Sequence, residues 1–315
     1  MPQPTGSDVH IDQPLTNISI AYIQRAENYV ATKIFPTVRV QKKTDKYFTF
    51  DKNDFLRDEA KLRAPATESE GSGYGVSNAS YSCDVYAFHK DVDDQTAANT
   101  DAPLDPEGDA ARFVAQRMLT RLERKFMTDF FATSIWATDA TPGTLWNDAL
   151  SDPIGDMDTA KEAILGVTGY DPNTLLLGYQ VFRQLKNHPD IVDRIKYTTS
   201  DVVTEALLAK YFGVDRVLVS RAVYASNNEG ETAAYAFAGG KHALLAYVAP
   251  SPSLLTPSAG YTFIWDNVSD GQNNVIGTVR IPIPEKRVVR VESQMAFDNK
   301  PVSTDLGYFF NGAVA

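Results

Sequence analysis

The sequence predicts an α+β protein. Three observations carry this prediction: a helical pattern of unusual length at residues 105–135, strand patterns on both sides of it, and an alternation of short strands and helices at 160–260. The 315 residues, of which 43% are hydrophobic and 22% charged, are enough for a large core in one or two domains.

Composition excludes several classes of protein. The net charge is −10 at pH 7 and the pI is about 4.9, so contact with nucleic acid would need a local basic face. Cys83 is the single cysteine, which excludes an intramolecular disulfide and a multi-cysteine metal site. The sequence has no run of about 20 apolar residues and no signal-peptide pattern. We therefore expect a soluble chain, made inside the cell, without membrane contact.

The longest helical pattern predicts a single helix that acts as a spine for other parts of the molecule. Asp105 is a suitable N-cap, and Pro106 suits the first helical position. Arg117, Arg121 and Arg124 follow an i, i+4, i+7 spacing and therefore share one side. That side is either a solvated or salt-bridged helix face or a surface toward a polyanion. The apolar stripe expected to face the core comprises Phe113, Val114, Met118, Leu119, Leu122, Phe126, Phe130 and Phe131.

The chain before this helix predicts an arm and a projecting hairpin. Residues 1–36 are largely polar and end in a short amphipathic helix that Pro36 stops. Residues 37–95 have alternating strand patterns at both ends and a polar, glycine-containing middle with too few apolar side chains for a core. Because an isolated hairpin is marginal in water, we expect this one to contact another subunit.

The chain after the helix predicts a loop, an α/β unit and a set of strands. Residues 136–158 have loop-like composition, and residues 160–260 alternate between strands and helices. From Gly260 onward the patterns are β again, and the apolar C-terminus should be tied to the body. We expect the long helix, the hairpin and the C-terminal strands to form one elongated domain into which the α/β unit is inserted.

The residues that carry chemistry do not form a recognisable catalytic, cofactor or metal site. The four histidines are scattered, and the glycines at 71–75 lack the ending of a phosphate loop. Asp91, Asp93 and Asp94 lack the spacing of a calcium loop, and neither Ser134 nor Ser220 has a hydrolase context. We therefore predict that the protein is not an enzyme and needs no cofactor or metal. Cys83 is expected to be a packed strand residue.

Four stretches carry a resemblance to a known family. Together they resemble the major capsid proteins of tailed bacteriophages, which have the Hong Kong 97 fold. The four are KIFPTVRVQKKTDKYFTFDKNDFLRDEAKLRAPATESEG (33–71), NTLLLGYQVFRQLKNHPDIVDRIKYT (173–198), KHALLAYVAPSPSLLTPSAGYTFIW (241–265) and GYFFNGAVA (307–315).

The resemblance implies a division of the chain into the parts of that fold. Residues 1–36 would be the N-terminal arm, and 37–95 the extended loop that overlaps a neighbouring subunit. Residues 96–159 and 261–315 would form the peripheral domain around the long helix, and 160–260 the axial domain. The loop side chains expected at the subunit contact are Phe55, Leu56, Arg57, Arg63 and Tyr74.

The function that this resemblance implies is structural. The chain would assemble with itself into pentamers and hexamers of an icosahedral head that encloses double-stranded DNA. It would be found in the virion after assembly in the host cytoplasm. No long helical scaffolding segment begins the sequence, so a separate scaffolding protein is expected unless the sequence is the mature form. A portal and a decoration protein are further implied partners, and the basic helix side is the candidate DNA-facing surface.

Two alternatives remain open at this point. An encapsulin-like nanocompartment would have the same fold and enclose an enzyme rather than a genome. A metal-dependent α/β enzyme would use the acidic cluster, and its activity would depend on Asp91 and Asp93. The size and contents of purified particles distinguish these alternatives from a viral shell.

Overall fold

The computed structural model describes residues 24–100, 104–196, 203–252, 256–268 and 275–315. Most of the expected N-terminal arm lies outside these residues. Within these residues, short 3-10 turns occur at Ala26–Asn28, Pro284–Lys286 and Thr304–Leu306. The helices α1 to α8, in chain order, are Ala31–Ile34, Lys52–Leu56, Asp94–Ala98, Pro106–Phe130, Pro153–Thr168, Tyr179–Lys186, Pro189–Lys196 and Glu205–Phe212.

Most of the strands lie close to the positions that the sequence patterns indicate. The strands β1 to β14, in chain order, are Thr37–Val40, Thr44–Phe50, Val76–Ser82, Asp84–Asp93, Thr138–Ala140, Thr174–Gly178, Arg216–Ser220, Val223–Ala225, Tyr235–Phe237, Ala243–Ala246, Gly260–Trp265, Gly277–Ile283, Val288–Pro301 and Gly307–Phe310. Both α and β elements are thus present in quantity, as the α+β prediction requires.

The long strand β13 is the centre of the first sheet. β4 pairs antiparallel with it from Val288 to Phe297. β12 and β11 pair antiparallel with its first and last parts, and β1 adds in parallel to β11. These five strands come from three distant parts of the chain, as expected for an elongated domain whose sequence is interrupted by another unit.

The second sheet has the strand order β5-β14-β10-β6-β7. Its central strands are fully buried: Leu175, Leu176 and Leu177 of β6 are all 0% exposed. A strand that is apolar on both faces needs cover on both sides, and α6 and α8 contact β6 and β7. This sheet is the core of the predicted α/β unit.

Two elements differ from the sequence expectation. α5 begins at Pro153, inside the stretch expected to be a loop, because Asp152 accepts a hydrogen bond from Gly155 N–H at 2.9 Å and caps the helix. The C-terminal strands were expected to complete the peripheral part, yet β14 pairs with β10 in the second sheet. The apolar terminus is tied down, as expected, and the second sheet holds it.

The long helix α4 begins as the sequence predicts and ends five residues earlier. The Asp105 side chain accepts a hydrogen bond from Gly108 N–H at 3.1 Å, and Pro106 is the first helical residue. Its 25 residues span roughly 38 Å. The residues following Phe130 turn away, and the indole N–H of Trp136 donates back to the Phe130 carbonyl at 2.8 Å. No helix in the described part of the chain has the length and apolarity to cross a membrane.

The buried face of α4 winds around the helix. Every fourth residue from Ala110 to Phe130 is buried, and each such step turns the stripe by about 40°. Ala110 and Val114, near the start, pack on Val92 of β4 and Val291 of β13. The later residues of the stripe join the large core that includes the second sheet. The helix therefore connects the two sheets, which is the role expected of a spine.

Candidate functional site

The aromatic anchor of the β2–β3 hairpin, residues 44–82, lies at its base, and the Lys52–Asp305 ion pair adds a contact to the body beyond β2. At the base, the Tyr81 ring stacks on Phe263 of the first sheet with centroids 4.7 Å apart, and Tyr47 packs on the same ring. Cys83 is fully buried beside them, and burial raises the pKa of its thiol to about 11. A thiol with this pKa is protonated at neutral pH, as expected for a packed residue rather than a nucleophile.

The distal part of the hairpin, residues 55–78, is exposed at every position. Its apolar side chains include Phe55, Leu56 and Tyr74, which are 54%, 61% and 61% exposed. The rings of Phe50, Phe55 and Tyr74 pack on one another with centroids 5.4–6.0 Å apart. A local aromatic cluster without a core beneath it presents apolar area to a partner.

The polar contacts of this segment stabilise the tip itself. Asp54 accepts a hydrogen bond from Gly75 N–H at 2.9 Å, which closes the segment on the side of α2. Arg57 pairs with Asp54 and Glu59, and Arg63 donates from Nε to the Thr67 carbonyl. The five side chains expected at the subunit contact therefore all lie on one exposed projection. Their role in such a contact stays a prediction.

Arg117, Arg121 and Arg124, which we call the basic row, are exposed on α4. Each guanidinium lies over an aromatic ring: Arg117 over Phe113 at 5.2 Å, Arg121 over Tyr86 at 5.0 Å and Arg124 over Tyr224 at 4.1 Å from the centroid. Cation–π contact holds these groups in place without neutralising them.

The basic row also differs from the other charged side chains of α4. Arg112 pairs with Asp109, Lys125 with Asp129, and Glu107 with Arg280. No ion pair between described residues involves Arg117, Arg121 or Arg124. The row therefore keeps its positive charge in an acidic protein, which suits either a polyanion or a carboxylate of another subunit.

Comparison with known proteins agrees with this architecture. The chain is 26% identical over 314 residues to the major capsid protein of Burkholderia phage BcepMu, with 96% of each chain covered. A phage-related protein of Bordetella bronchiseptica RB50 superposes with a TM-score of 0.70 at 23% identity, over 92% of this chain and 94% of that one. The capsid protein of cyanophage P-SCSP1u superposes with a TM-score of 0.64 at 9% identity, over 96% and 93%.

The chain has the Hong Kong 97-type capsid fold, and its resemblance to tailed-phage major capsid proteins is confirmed. No family model matches it. Because the relatives by sequence are phage capsid proteins, the comparison favours a viral shell over the nanocompartment alternative.

One residue important to this capsid fold was missed in the sequence. Glu123, on α4, is 1% exposed. Its Oε2 accepts hydrogen bonds from Val30 N–H and Ala31 N–H, both at 2.9 Å, and its Oε1 accepts one from Ser220 Oγ at 3.2 Å. Burial raises its pKa to about 6, and these hydrogen bonds oppose the rise. The carboxylate on α4 thus joins the start of α1 to the end of β7.

The acidic cluster of the enzyme alternative is held in structural contacts. Asp91 accepts from Nε and Nη2 of Arg290 at 2.8 and 3.0 Å, and these hydrogen bonds lower its pKa. Asp93 caps α3 by accepting from Thr96 N–H at 2.7 Å. Among the described residues, no group of His, Cys, Asp and Glu side chains has the geometry to hold a metal ion.

The histidines are not arranged for catalysis where the structure describes them. His10 lies outside the described residues, and His89 is exposed on β4. His188 is buried beside Ser151 with Nε2 3.0 Å from Oγ, but its Nδ1 accepts from Asp190 N–H. The neutral ring must then carry its proton on Nε2 and cannot take one from Ser151. Ser220, for which the sequence gives no hydrolase context, donates to Glu123.

Proposed function

We propose that this chain is the shell-forming major capsid protein of a tailed phage, that it assembles with itself into pentamers and hexamers, and that the closed head encloses double-stranded DNA. The observation that carries the proposal is the hairpin at 44–82, which exposes aromatic side chains far from the core of its own subunit. The similarity to phage major capsid proteins over nearly the whole chain supports the same function.

The hairpin serves, in this proposal, to fasten one subunit to the next. Phe55, Leu56 and Tyr74 supply apolar area, while Arg57 and Arg63 supply charge on the same projection. An interface of this kind gains free energy when the exposed rings are buried by a neighbour, at roughly 25 cal/mol for each Å² of apolar surface. In the isolated subunit these side chains contact only one another and their own segment, among the contacts of the described residues.

Deletion of residues 55–75 tests this function. Residues 51–54 would then connect Phe50 to its partner Val76, and a four-residue connection is an ordinary hairpin loop. We expect the subunit to keep its circular dichroism spectrum and melting temperature, because the deleted residues contribute little to the core. We also expect electron micrographs of the purified variant to lack closed shells. Shells of normal form would show that the hairpin does not join subunits.

We propose further that the basic row faces the packaged DNA. Three guanidinium groups on one helix side, none of them in an ion pair with another described residue, suit phosphate contacts that do not depend on sequence. The double variant R117E/R121E should assemble shells that retain less DNA, measured by absorbance and dye binding after nuclease treatment. R112E is the matched control, since Arg112 lies about 140° away around the same helix. Loss of assembly in R117E/R121E would instead identify a subunit contact.

The remaining partners follow from the resemblance alone. We propose a separate scaffolding protein, a portal at one vertex and a decoration protein on the shell, with assembly in the host cytoplasm. The division into arm, extended loop, peripheral and axial domains is likewise proposed. It is supported by the two separate sheets and by the helix that connects them.

A further inference from the structure

A cleft of about 180 Å³ lies between the last turns of α4 and the segment that precedes β10. The helix side contributes Arg124, Thr128 and Phe131, and the other side contributes Tyr224, Gly240 and His242. None of the described residues that line it is Asp or Glu. A single water needs roughly 10–15 Å³, so a cleft of this volume can hold a small polyatomic group.

Arg124 provides a fixed positive charge at the cleft. Its guanidinium lies 4.1 Å from the centroid of the Tyr224 ring, the closest of the three cation–π contacts in the basic row. Tyr224 lines the cleft as well, so the stack sets the position of the cation relative to the opening. A planar guanidinium that is held by a ring keeps its N–H edges free to donate to an oxyanion.

His242 provides a hydrogen-bond donor on the opposite wall. Its Nδ1 accepts from Gly312 N–H at 3.0 Å, so the neutral ring carries its proton on Nε2. The ring packs against Phe131 and Phe309 with centroids 5.8 and 5.4 Å away, and burial lowers its pKa. Among the hydrogen bonds of the described residues, Nε2–H has no acceptor.

The opening beside this donor depends on a glycine. Gly240 lines the cleft with a φ of 52°, and a Cβ there would lie 3.4 Å from His242 Cδ2 and 3.8 Å from Nε2. A side chain at this position would cover the edge of the imidazole that carries the proton. Glycine leaves that edge open to a ligand.

We propose that this cleft binds a phosphoryl group, with the Arg124 guanidinium supplying the charge and the His242 Nε2–H supplying a directed hydrogen bond. One fixed cation and one neutral donor, without a carboxylate between them, suit an anion that has several acceptor oxygens. The phosphoryl group belongs either to the backbone of packaged nucleic acid or to free phosphate. The inference rests on the proposed function only in that Arg124 also belongs to the basic row.

The test is equilibrium dialysis of radiolabelled inorganic phosphate against DNA-free shells of the full chain, which works for particles of any size. Binding should saturate, and R124Q and H242N should each weaken it about tenfold or more, as expected for a lost hydrogen bond to a charged group. Asn at 242 can still accept from Gly312 N–H through its amide oxygen, so this variant keeps the structural contact. Its shorter side chain leaves no donor at the position of Nε2. R117Q is the matched control, an arginine of the same row outside the cleft.

The outcomes separate this inference from the proposed DNA-facing role. Absence of saturable phosphate binding overturns it, and so does an equal loss in R117Q and R124Q, which would indicate diffuse attraction. A short single-stranded oligonucleotide that displaces the phosphate identifies nucleic acid as the source, whereas phosphate binding without such competition identifies free phosphate. If R117E/R121E shells retain DNA normally while R124Q loses phosphate binding, the basic row does not face the DNA, and phosphate binding in the cleft is supported independently.

Discussion

At the scale of single residues, Glu123 is where three segments of the capsid fold meet. It accepts two backbone hydrogen bonds from the start of α1 and one from Ser220, which are 93, 92 and 97 residues away in sequence. Burial makes this carboxylate costly to ionise, although the hydrogen bonds that it accepts reduce the cost. Removing the carboxylate is also costly, because the buried groups that donate to it would lose their acceptor. Its protonation should therefore affect the stability of the subunit.

The first prediction concerns the substitution E123Q. The pKa of Glu123 is about 6 in the folded chain against an ordinary value of 4.5, so the folded chain binds this proton more tightly. The stability it contributes is complete below pH 4.5 and is lost as pH rises through 6, an effect of about 2 kcal/mol. Calorimetry should therefore find E123Q at least as stable as the natural protein at pH 7.5, with the difference closing toward pH 4.5.

E123A is the control for this prediction. Alanine removes the acceptor of two buried N–H groups, which should cost about 1–3 kcal/mol at either pH. Gln can still accept both bonds through its amide oxygen and can donate to Ser220. If E123Q were destabilised at pH 7.5 as much as E123A, the charge itself would be needed and this account of the site would be wrong.

The second prediction compares two glycines. A Cβ at Gly307 would lie 2.1 Å from an atom of the Trp136 indole, whereas a Cβ at Gly166 on α5 would meet nothing within 4 Å. We expect G307A to lower the free energy of unfolding by about 1–3 kcal/mol through overpacking, and with it the melting temperature. We expect G166A to raise the free energy of unfolding by about 0.5–1 kcal/mol, because alanine favours the helix. Equal effects would contradict the close approach at Gly307.

The sequence indicates some of these residues and hides others for a physical reason. The shared side of Arg117, Arg121 and Arg124 follows from helical geometry alone. The burial of Glu123 does not, because a charged side chain on a long helix is normally solvated and its partners lie far away in sequence. Residue roles that depend on distant backbone donors need the tertiary structure.

At the scale of elements, the hairpin and the long helix do different work. The hairpin has a small anchored base around Tyr81 and Phe263 and an exposed tip. The helix has a buried stripe that turns by about 40° with every fourth residue and so contacts both sheets. The hairpin, in the proposed function, contacts a neighbouring subunit. The helix connects the two sheets of its own subunit.

The third prediction tests the aromatic cluster of the hairpin without a deletion. The variant F55S/Y74S removes two of its three rings, both of them outside the subunit core. We expect an unchanged melting temperature of the subunit and a marked loss of closed shells in sedimentation and electron microscopy. K61A/E70A is the matched control, because it removes an exposed ion pair from the same segment and should assemble normally. Normal assembly of F55S/Y74S would mean that the rings are not a subunit contact.

Local sequence patterns predict where helices and strands begin more reliably than they predict which strands pair. The N-cap and first-turn proline of α4 predict where that helix begins, and its early end reflects the turn that brings Trp136 back to Phe130. The same two signals, Asp152 and Pro153, begin α5, but they stand in a stretch rich in turn residues, whose composition predicts a loop. The pairing of β14 with β10 depends on residues about 60 positions apart, so no local pattern encodes it.

At the scale of the whole molecule, the fold separates structural stability from assembly. The two sheets and the large core between them are built from side chains that the subunit buries by itself. The hairpin tip and the basic row remain outside that core. In the proposed function they are the surfaces that meet a neighbour and DNA. Local patterns predict most of the strands and the long helix, but not the start of α5. The arrangement of the elements comes from the family resemblance, because local periodicity does not determine long-range pairing.

The fourth prediction follows from this separation. Particles of the natural protein should lose DNA contacts as salt is raised, because phosphate contacts exchange with counterions, while apolar hairpin contacts should persist. Particle integrity and DNA accessibility to nuclease, measured across a salt series on the same sample, should therefore respond separately. Simultaneous loss of both would indicate that the shell depends on the charge of the basic row.

In the proposed function, this chain closes into a shell through its projecting hairpin. Electron cryomicroscopy of particles formed by the protein is the decisive experiment. We expect closed icosahedral shells tens of nanometres across, built of pentamers and hexamers, with the 55–75 segment of each subunit lying on its neighbour. Small discrete oligomers, or shells in which that segment contacts no other subunit, would contradict the proposal.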